Sequence, residues 1–440
     1  MAESPTGASA ATASPVPKAR WTRVGLLLFL IYLVCYADRS NISIAVPDMV
    51  EQLRLSGTVA GVLLSAFFWG YVITQIPGGW AANRFSPKKV IVISLIVVGI
   101  TACATGLTSD YTSLLAIRFT MGLAEGAVFP SFAVMFLRWF PSLERGRAVS
   151  FTQYALPVSS ALMAPLAGWM IDVWNYRTMF ILQGLPAFFL ALAFWLLVAD
   201  DPVGDRRLDP RERELILRER DEETSSESTF LEGLRKPVLW ALCLTYFLWI
   251  TGMYAFGLWL PSVISQFSAA GIGAVGWLTA LPYAVAAVAL YLFSRASDKS
   301  SHSRGWFVAG AMTIGGLALL VQHVVGDAVW TNMTLLILTA IGIYGALGTW
   351  WTWALSKVPR NQAGASIGLI NLCGNFGGIV GPILIGAVSA PGEGPGSGFY
   401  ILGFVLLGAA VLAAVIAVRS DGPAARSRLV AAAEPPTTPR

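Results

Sequence analysis

Twelve apolar stretches of about 20 or more residues follow one another along this chain of 440 residues. A helix needs roughly 20 mostly apolar residues to cross a bilayer. Charged residues make up only 12% of the sequence, against about 25% in a soluble domain. The pattern predicts an all-α polytopic membrane protein and excludes a soluble, fibrous or disordered one. The predicted spans cover 24–46, 58–81, 90–108, 112–138, 147–171, 178–199, 237–266, 273–295, 305–325, 331–355, 361–389 and 397–419.

A charge-dense segment, 200–236, divides these spans into two groups of six. We expect it to form a cytoplasmic linker with a short surface helix, between an N-terminal half (21–199) and a C-terminal half (237–419). Residues 1–20 and 420–440 are rich in small residues and proline, which predicts disordered tails. The first apolar stretch is too long for a signal peptide and lacks a clear cleavage site, so we expect it to be retained.

The basic residues predict the orientation of the spans. With the N-terminus inside, 26 of the 30 Lys and Arg fall in cytoplasmic segments, and only Arg54 and Arg177 fall in outer loops. This asymmetry follows the positive-inside rule and predicts that both termini are cytoplasmic. It also accounts for the net charge of +5, so we expect a bilayer and no nucleic acid as partner. The expected location is the cytoplasmic (inner) membrane of a bacterium.

A weak internal repeat relates the two halves. Asn83, after the second span, corresponds to Asp298, after the eighth, at an offset of 215 residues. Pro165 and Pro382, in spans five and eleven, correspond at an offset of 217. Two separate pairs with nearly the same offset indicate a duplicated six-helix unit. Parallel repeats of this kind are typical of transporters that bind substrate between their halves.

Four ionisable residues lie well inside the spans, away from their ends, and all are in the first half: Asp38, Arg39, Arg118 and Glu125. Charges inside a membrane are costly and are functional candidates by default. At 1.5 Å per residue, the first three lie at a similar depth, past the midplane toward the outside. Glu125 lies about two turns beyond Arg118 on the same helix face. We therefore predict one shared cavity, in which Asp38 is able to pair with Arg118.

These four charges suggest how an anion could enter with a proton. A guanidinium group binds a carboxylate through two parallel hydrogen bonds. Two arginines balance two acids until a negative substrate enters, and a carboxyl group in a dry cavity readily takes up a proton. Protonation of Asp38 or Glu125 would then free an arginine for the substrate. The alternative is that the four residues form permanent salt bridges that only lock helices together.

Weaker candidates surround this cluster. Tyr36 lies three residues before Arg39, on the same helix face. Asn371 and Asn375 are one turn apart on a glycine-rich span and suit hydrogen bonds to a sugar or carboxylate. Trp350 belongs to the run GTWWTW and could face either the site or lipid. In the second half the only Lys or Arg within the predicted spans are Arg295 and Arg419, at the cytoplasmic ends, so no basic residue lies deep in the membrane there. This disfavours a dianion that requires a third arginine.

The segment GGWAANRFSPKK after the second span resembles the loop signature of the major facilitator superfamily. YADRSNISIAVP (36–47), RFTMGLAEGAVFPS (118–131) and NLCGNFGGIVGP (371–382) resemble its anion:cation symporter family. The resemblance implies binding or coupling roles for the four charges and a binding role for Tyr71. The usual acid of the loop signature is Asn83 here, which places its gating salt bridge in doubt. The loop candidates are Asn83, Arg84, Lys88, Asp298 and Arg304.

Together these features predict a proton-coupled symporter that takes up a small organic anion by alternating access. A sugar acid, a carboxylate or a sulfonate would satisfy the arginines. The proton gradient would supply the energy, and we expect a monomer with no cofactor or metal. An exporter of organic anions or drugs, or a transporter-like nutrient sensor, remains possible on the same fold. An enzyme is disfavoured because HExxH and P-loop motifs do not occur.

Overall fold

The structure, a computed structural model, describes residues 18–223, 236–268, 271–300, 303–325, 328–358, 363–389 and 395–421. Within these residues, twelve helices are long and apolar enough to cross a membrane, which confirms the predicted fold class and number of spans. They are α1 (Arg20–Leu53), α2 (Gly57–Arg84), α3 (Pro87–Leu107), α4 (Tyr111–Trp139), α5 (Glu144–Val173), α6 (Tyr176–Leu197), α7 (Pro237–Ser268), α8 (Ile272–Lys299), α9 (Arg304–Val324), α10 (Val329–Leu355), α11 (Ser366–Val388) and α12 (Gly396–Arg419).

Some helix ends carry a capping signal in the sequence, whereas others differ from the predicted bounds. Ser86 caps α3, because its hydroxyl accepts a hydrogen bond from the backbone N–H of Lys89. The first helix continues beyond its predicted end at 46 and stops at Leu53, where Arg54 adopts a left-handed φ of 52°. Span α4 consists of two helices, Tyr111–Glu125 and Val128–Trp139. The break therefore lies directly after an intramembrane carboxylate.

The packing of the helices confirms the internal repeat. In the first half α1 packs along α5, α2 along α4 and α3 along α6. In the second half the equivalent pairs are α7 with α11, α8 with α10 and α9 with α12. The halves meet through α2 with α11 and through α5 with α8, two contacts that the repeat also relates to each other. The predicted orientation of the termini stays a prediction.

Glycine residues allow the two halves to approach closely near the start of α2 and the end of α5. A Cβ atom on Gly61 would lie 2.6 Å from the carbonyl oxygen of Pro382 in α11. A Cβ atom on Gly168 would lie 2.9 Å from the carbonyl oxygen of Ile272 in α8. Small residues are typical of such backbone contacts between membrane helices. Both contacts lie toward the predicted outer side.

A second close crossing, between α2 and α4, positions part of the candidate site. A Cβ atom on Gly122 would lie 1.8 Å from the carbonyl oxygen of Phe67. One on Gly126 would lie 2.3 Å from the carbonyl oxygen of Tyr71. Because these glycines lack a side chain, the helix that carries Glu125 can lie directly against the helix that carries Tyr71.

We expect the substitution Gly122→Ala to lower the stability of the protein, because the added methyl group forces α2 and α4 apart. Overpacking of this kind costs about 1–3 kcal/mol. Gly310→Ala is the matched control, since a Cβ atom there meets nothing within 4 Å. The melting temperature in detergent measures both. A Gly122→Ala protein as stable as the Gly310→Ala protein would contradict the close crossing.

Candidate functional site

An ion pair between Arg39 of α1 and Glu125 of α4 lies at the centre of the molecule. The Nη2 atom of Arg39 donates directly to Oε1 of Glu125. Both side chains are buried, with only 4% and 2% of their surface exposed. The Nη1 atom of Arg39 donates to the hydroxyl of Tyr254 in α7 at 2.9 Å. The pair therefore belongs to the first half, while its cation also contacts the second half.

Aromatic rings surround the Arg39 guanidinium. Such rings attract a cation through the negative charge above their faces, and the attraction strengthens where water is excluded. Every ring in this cage lies on α1, α2 or α7. The distances from the guanidinium carbon to the ring centres are 5.4 Å for Tyr36, 4.9 Å for Phe67, 5.8 Å for Phe68, 4.8 Å for Tyr71 and 5.8 Å for Tyr254. The structure thus brings the predicted Tyr36 and Tyr71 to Arg39.

Asp38 and Arg118 form a separate cluster inside the first half. The Nη1 atom of Arg118 donates to the backbone carbonyl of Asp38 at 3.0 Å, and its guanidinium lies 5.4 Å from the ring centre of Phe180 in α6. The Asp38 carboxylate accepts a hydrogen bond from Asn41 at 3.5 Å, and Asn41 also bonds Gln183. Among the described residues, Nε and Nη2 of Arg118 and Oδ2 of Asp38 have no hydrogen-bond partner.

The predicted pairing of Asp38 with Arg118 is therefore corrected. In its place, the ion pair is formed by Arg39 and Glu125. The physical reason is that adjacent residues of a helix point about 100° apart. Arg39 points toward the second half, whereas Asp38 points back among α1, α4 and α6. One shared cavity for all four charges is replaced by two neighbouring polar clusters.

The second half contributes neutral polar groups and aromatic rings. The Tyr254 hydroxyl donates to Oδ1 of Asn375 at 3.4 Å, and Nδ2 of Asn375 donates to the carbonyl of Asn371 at 2.8 Å. A chain of hydrogen bonds thus runs from Arg39 to α11. Trp350 is fully buried and stacks on Tyr246, with ring centres 5.3 Å apart and planes at 15°. The ring of Trp350 therefore packs inside the second half and has no surface exposed to a substrate.

The loop candidates separate into two groups. Asn83 and Arg84 are exposed at the end of α2, and Lys88 lies 4.7 Å above the ring of Trp195. In the second half, Arg304 donates to Asp298 at 3.1 Å in an exposed ion pair. A carboxylate that was not predicted from the sequence lies beside the loop after α2. Asp200 accepts hydrogen bonds from the Ser86 hydroxyl at 2.7 Å, from the Lys88 backbone N–H at 3.2 Å and from Arg138 at 3.2 Å.

A buried cluster joins the start of α1 to the linker. A helix over Pro210–Glu223 lies in the linker, and its Glu212 is fully buried. Glu212 accepts from Nη1 of Arg20 at 2.8 Å and from the backbone N–H of Ala19 at 3.1 Å. Arg20 also donates to Glu144 at 2.9 Å. Of the predicted tail 1–20, residues 1–17 lie outside the described part, whereas Arg20 is buried and helical.

We expect Glu212→Ala to lower the stability of the folded protein by about 3 kcal/mol, because Arg20 would lose a buried partner. The control is Asp298→Ala, which breaks an exposed pair that contributes about 1 kcal/mol or less. Thermal unfolding in detergent compares the two. Equal shifts in melting temperature would show that the Arg20 cluster holds the linker no more firmly than a surface contact.

Tyr254 is the central residue that sequence reasoning missed. The repeat offset of 215 residues, applied to Arg39, leads directly to Tyr254, so the signal was present. No group of three or more metal-ligating side chains occurs among the described residues. The site can hold an anion at the Arg39 guanidinium, which in this structure is paired with the Glu125 carboxylate. It lies between the two halves of the molecule, because Arg39 also contacts Tyr254.

Comparison with known proteins agrees with this architecture. The family model described as Major Facilitator Superfamily matches residues 28–382. A protein of Agrobacterium vitis named as a tartrate transporter is 29% identical over 88% of this chain and 92% of its own length. One of Bacillus subtilis named as a galactarate/D-glucarate transporter is 29% identical over 93% of both chains.

The fold also resembles solved structures. A bacterial homologue of the human lysosomal transporter Spinster, in an inward-facing and occupied conformation, superimposes with a TM-score of 0.71. The alignment covers 96% of this chain and 100% of that one at 17% identity. At this identity the likeness concerns the fold alone.

Proposed function

Because the chain belongs to the Major Facilitator Superfamily, a family of transporters and not of enzymes, we propose that it carries a small organic anion across the membrane together with protons. The expected membrane is the inner membrane of a bacterium, where the protein works as a monomer. Uptake is the proposed direction. The names of the relatives, a tartrate and a galactarate/D-glucarate transporter, support an organic anion as substrate.

The observation that carries the proposal is the buried ion pair of Arg39 with Glu125. A guanidinium group in a dry site requires a negative partner, and its forked geometry fits a carboxylate or sulfonate. In this structure Glu125 fills that role. A substrate anion and Glu125 therefore compete for the same cation.

Proton coupling follows from this competition. When Glu125 takes up a proton it no longer neutralises Arg39, and a substrate anion can replace it. Binding of the anion in turn favours the protonated carboxyl, because two negative charges cannot share one buried cation without cost. Asp38, beside Arg118, offers a second position for a proton, since its Oδ2 atom has no partner among the described residues.

In alternating access, the two six-helix halves would move relative to each other at the interface where this site lies. Arg39 and Glu125 belong to the first half, whereas Tyr254 and Asn375 belong to the second. A substrate bound at Arg39 would be held by both halves, as expected for rocking around a central site. To open toward the predicted outer side, the α2–α11 and α5–α8 contacts would separate.

Purified protein in proteoliposomes tests the proposal. An inwardly directed proton gradient should drive accumulation of a labelled organic anion, and dissipation of the gradient with an ionophore should stop it. Saturable exchange should persist without the gradient. Accumulation driven only by an outward gradient would indicate an exporter, and binding without any exchange would indicate a sensor. Uptake that ignores the proton gradient would overturn the symport mechanism.

A further inference from the structure

Only one of the two intramembrane arginines faces the second half, a point that bears on the substrate if the proposed function holds. Arg39 contacts Tyr254 of α7. Arg118 is 1% exposed, and its described contacts are Asp38, Met121 and Phe180, all within the first half. Among the residues that the structure describes, a substrate between the halves therefore meets a single guanidinium group.

A wall of aromatic rings in the second half begins at this cation with Tyr254, whose ring centre lies 5.8 Å from the guanidinium carbon, and continues along α7 and α10. Tyr246 stacks on Trp350 and lies 5.3 Å from the ring of Trp351, while Tyr254 lies 4.4 Å from Phe68 of the first half. Glycines in α11 make room for these rings. A Cβ atom on Gly374 would lie 2.3 Å from the ring of Tyr246, and one on Gly378 would lie 2.2 Å from Phe68.

The polar groups of this wall are few and uncharged. Asn375 already uses its Nδ2 atom on the carbonyl of Asn371 and its Oδ1 atom on the Tyr254 hydroxyl. Asn371 is half-buried on the same face of α11. A polyhydroxylated diacid would thus find a cation at one end only, and its second carboxylate would lie against rings. An unpaired charge in such surroundings is strongly disfavoured.

We propose that the central site selects substrates with one negative group on a flat, aromatic body, in preference to dianionic sugar acids. The anionic group binds the Arg39 guanidinium after protonation of Glu125. The body lies against the wall formed by Tyr246, Trp351 and Tyr254, where aromatic rings stack or meet edge to face. One proton with one such anion makes the loaded site electrically neutral.

This selectivity can be tested with four acids that differ independently in the number of carboxylate groups and in the carbon skeleton. They are benzoate and isophthalate, which share an aromatic ring, and gluconate and glucarate, which share a polyol chain. Binding to the purified, unmodified protein is measured from the rise in melting temperature with ligand concentration, because a ligand of the native state stabilises it. We expect benzoate to bind with a Kd at least about tenfold below those of isophthalate and glucarate, with gluconate between them.

Tighter binding of glucarate or isophthalate than of benzoate would overturn the single-charge proposal, and so would the absence of any shift. The transport assay of the proposed function is separate and uses the proton gradient as its readout. Proton-driven glucarate uptake with no benzoate binding would therefore refute the selectivity and leave the symport mechanism standing.

A gain of charge provides a second test. Asn371→Arg places a guanidinium on the wall of the second half, so the Kd of isophthalate relative to benzoate should fall about tenfold. Ser356→Arg, at an exposed position beyond the end of α10, is the matched control and should leave the ratio unchanged. An unchanged ratio in Asn371→Arg, in a protein that keeps its melting temperature, would contradict the proposed arrangement.

Discussion

Replacement of Arg39 by glutamine should abolish transport, with a loss of at least about a hundredfold in the initial rate of uptake. Arg39 is the only described cation that joins Glu125 on one side and Tyr254 on the other. Loss of a buried charge–charge contact with a ligand costs about 3–5 kcal/mol, which corresponds to a factor of a hundred or more in affinity. Arg39→Lys keeps the charge but loses the forked geometry, so we expect partial activity.

A purely structural role for Arg39 must be distinguished from this binding role. Removal of the guanidinium leaves Glu125 buried without its partner, which by itself destabilises the fold. The double variant Arg39→Gln, Glu125→Gln removes both charges and should recover most of the lost melting temperature. We expect it to remain unable to bind a substrate anion. Recovery of transport along with stability would show that Arg39 only holds α1 against α4.

The sequence was sufficient for the architecture because the bilayer imposes a simple requirement. Each span needs enough apolar residues, and the charged segment 200–236 interrupts the series once. The observed ends differ from the predicted ones where polar residues continue a helix beyond the apolar stretch, as in α1 up to Leu53. The break in α4 after Glu125 shows no change in polarity, since apolar residues continue on both sides, but Gly126 lies at the break and Pro130 has no N–H to donate to the carbonyl of Gly126.

The candidate site was predicted as a set of residues but not as an arrangement. Ionisable residues in apolar spans are conspicuous, and so Asp38, Arg39, Arg118 and Glu125 could be named. Their partners depend on how α1 is rotated about its axis, which a sequence with apolar residues on every face does not reveal. Tyr254 was overlooked because an uncharged tyrosine in a membrane helix is ordinary, even though the repeat offset from Arg39 leads to it.

Glu125→Gln should abolish accumulation driven by a proton gradient and spare exchange of the same substrate. Glutamine resembles the protonated carboxyl in shape and lacks its charge, so Arg39 would be available to an anion at every pH. Substrate binding should therefore persist and lose its dependence on pH. Counterflow and gradient-driven uptake, measured on the same proteoliposomes, separate the two effects. Glu51→Gln, at an exposed position near the end of α1, is the matched control.

The same pair of assays, applied to Asp38→Asn, distinguishes the two acids. Glu125 contacts the arginine that faces the second half, whereas the Asp38 carboxylate lies inside the first half beside Asn41. If Glu125 carries the coupling proton, Asp38→Asn keeps gradient-driven accumulation, although its rate can fall. If accumulation survives Glu125→Gln and is lost in Asp38→Asn, the coupling proton belongs to the inner cluster with Arg118. Loss in both variants would indicate that a proton passes through both clusters, because neither carboxylate alone would then support coupled transport.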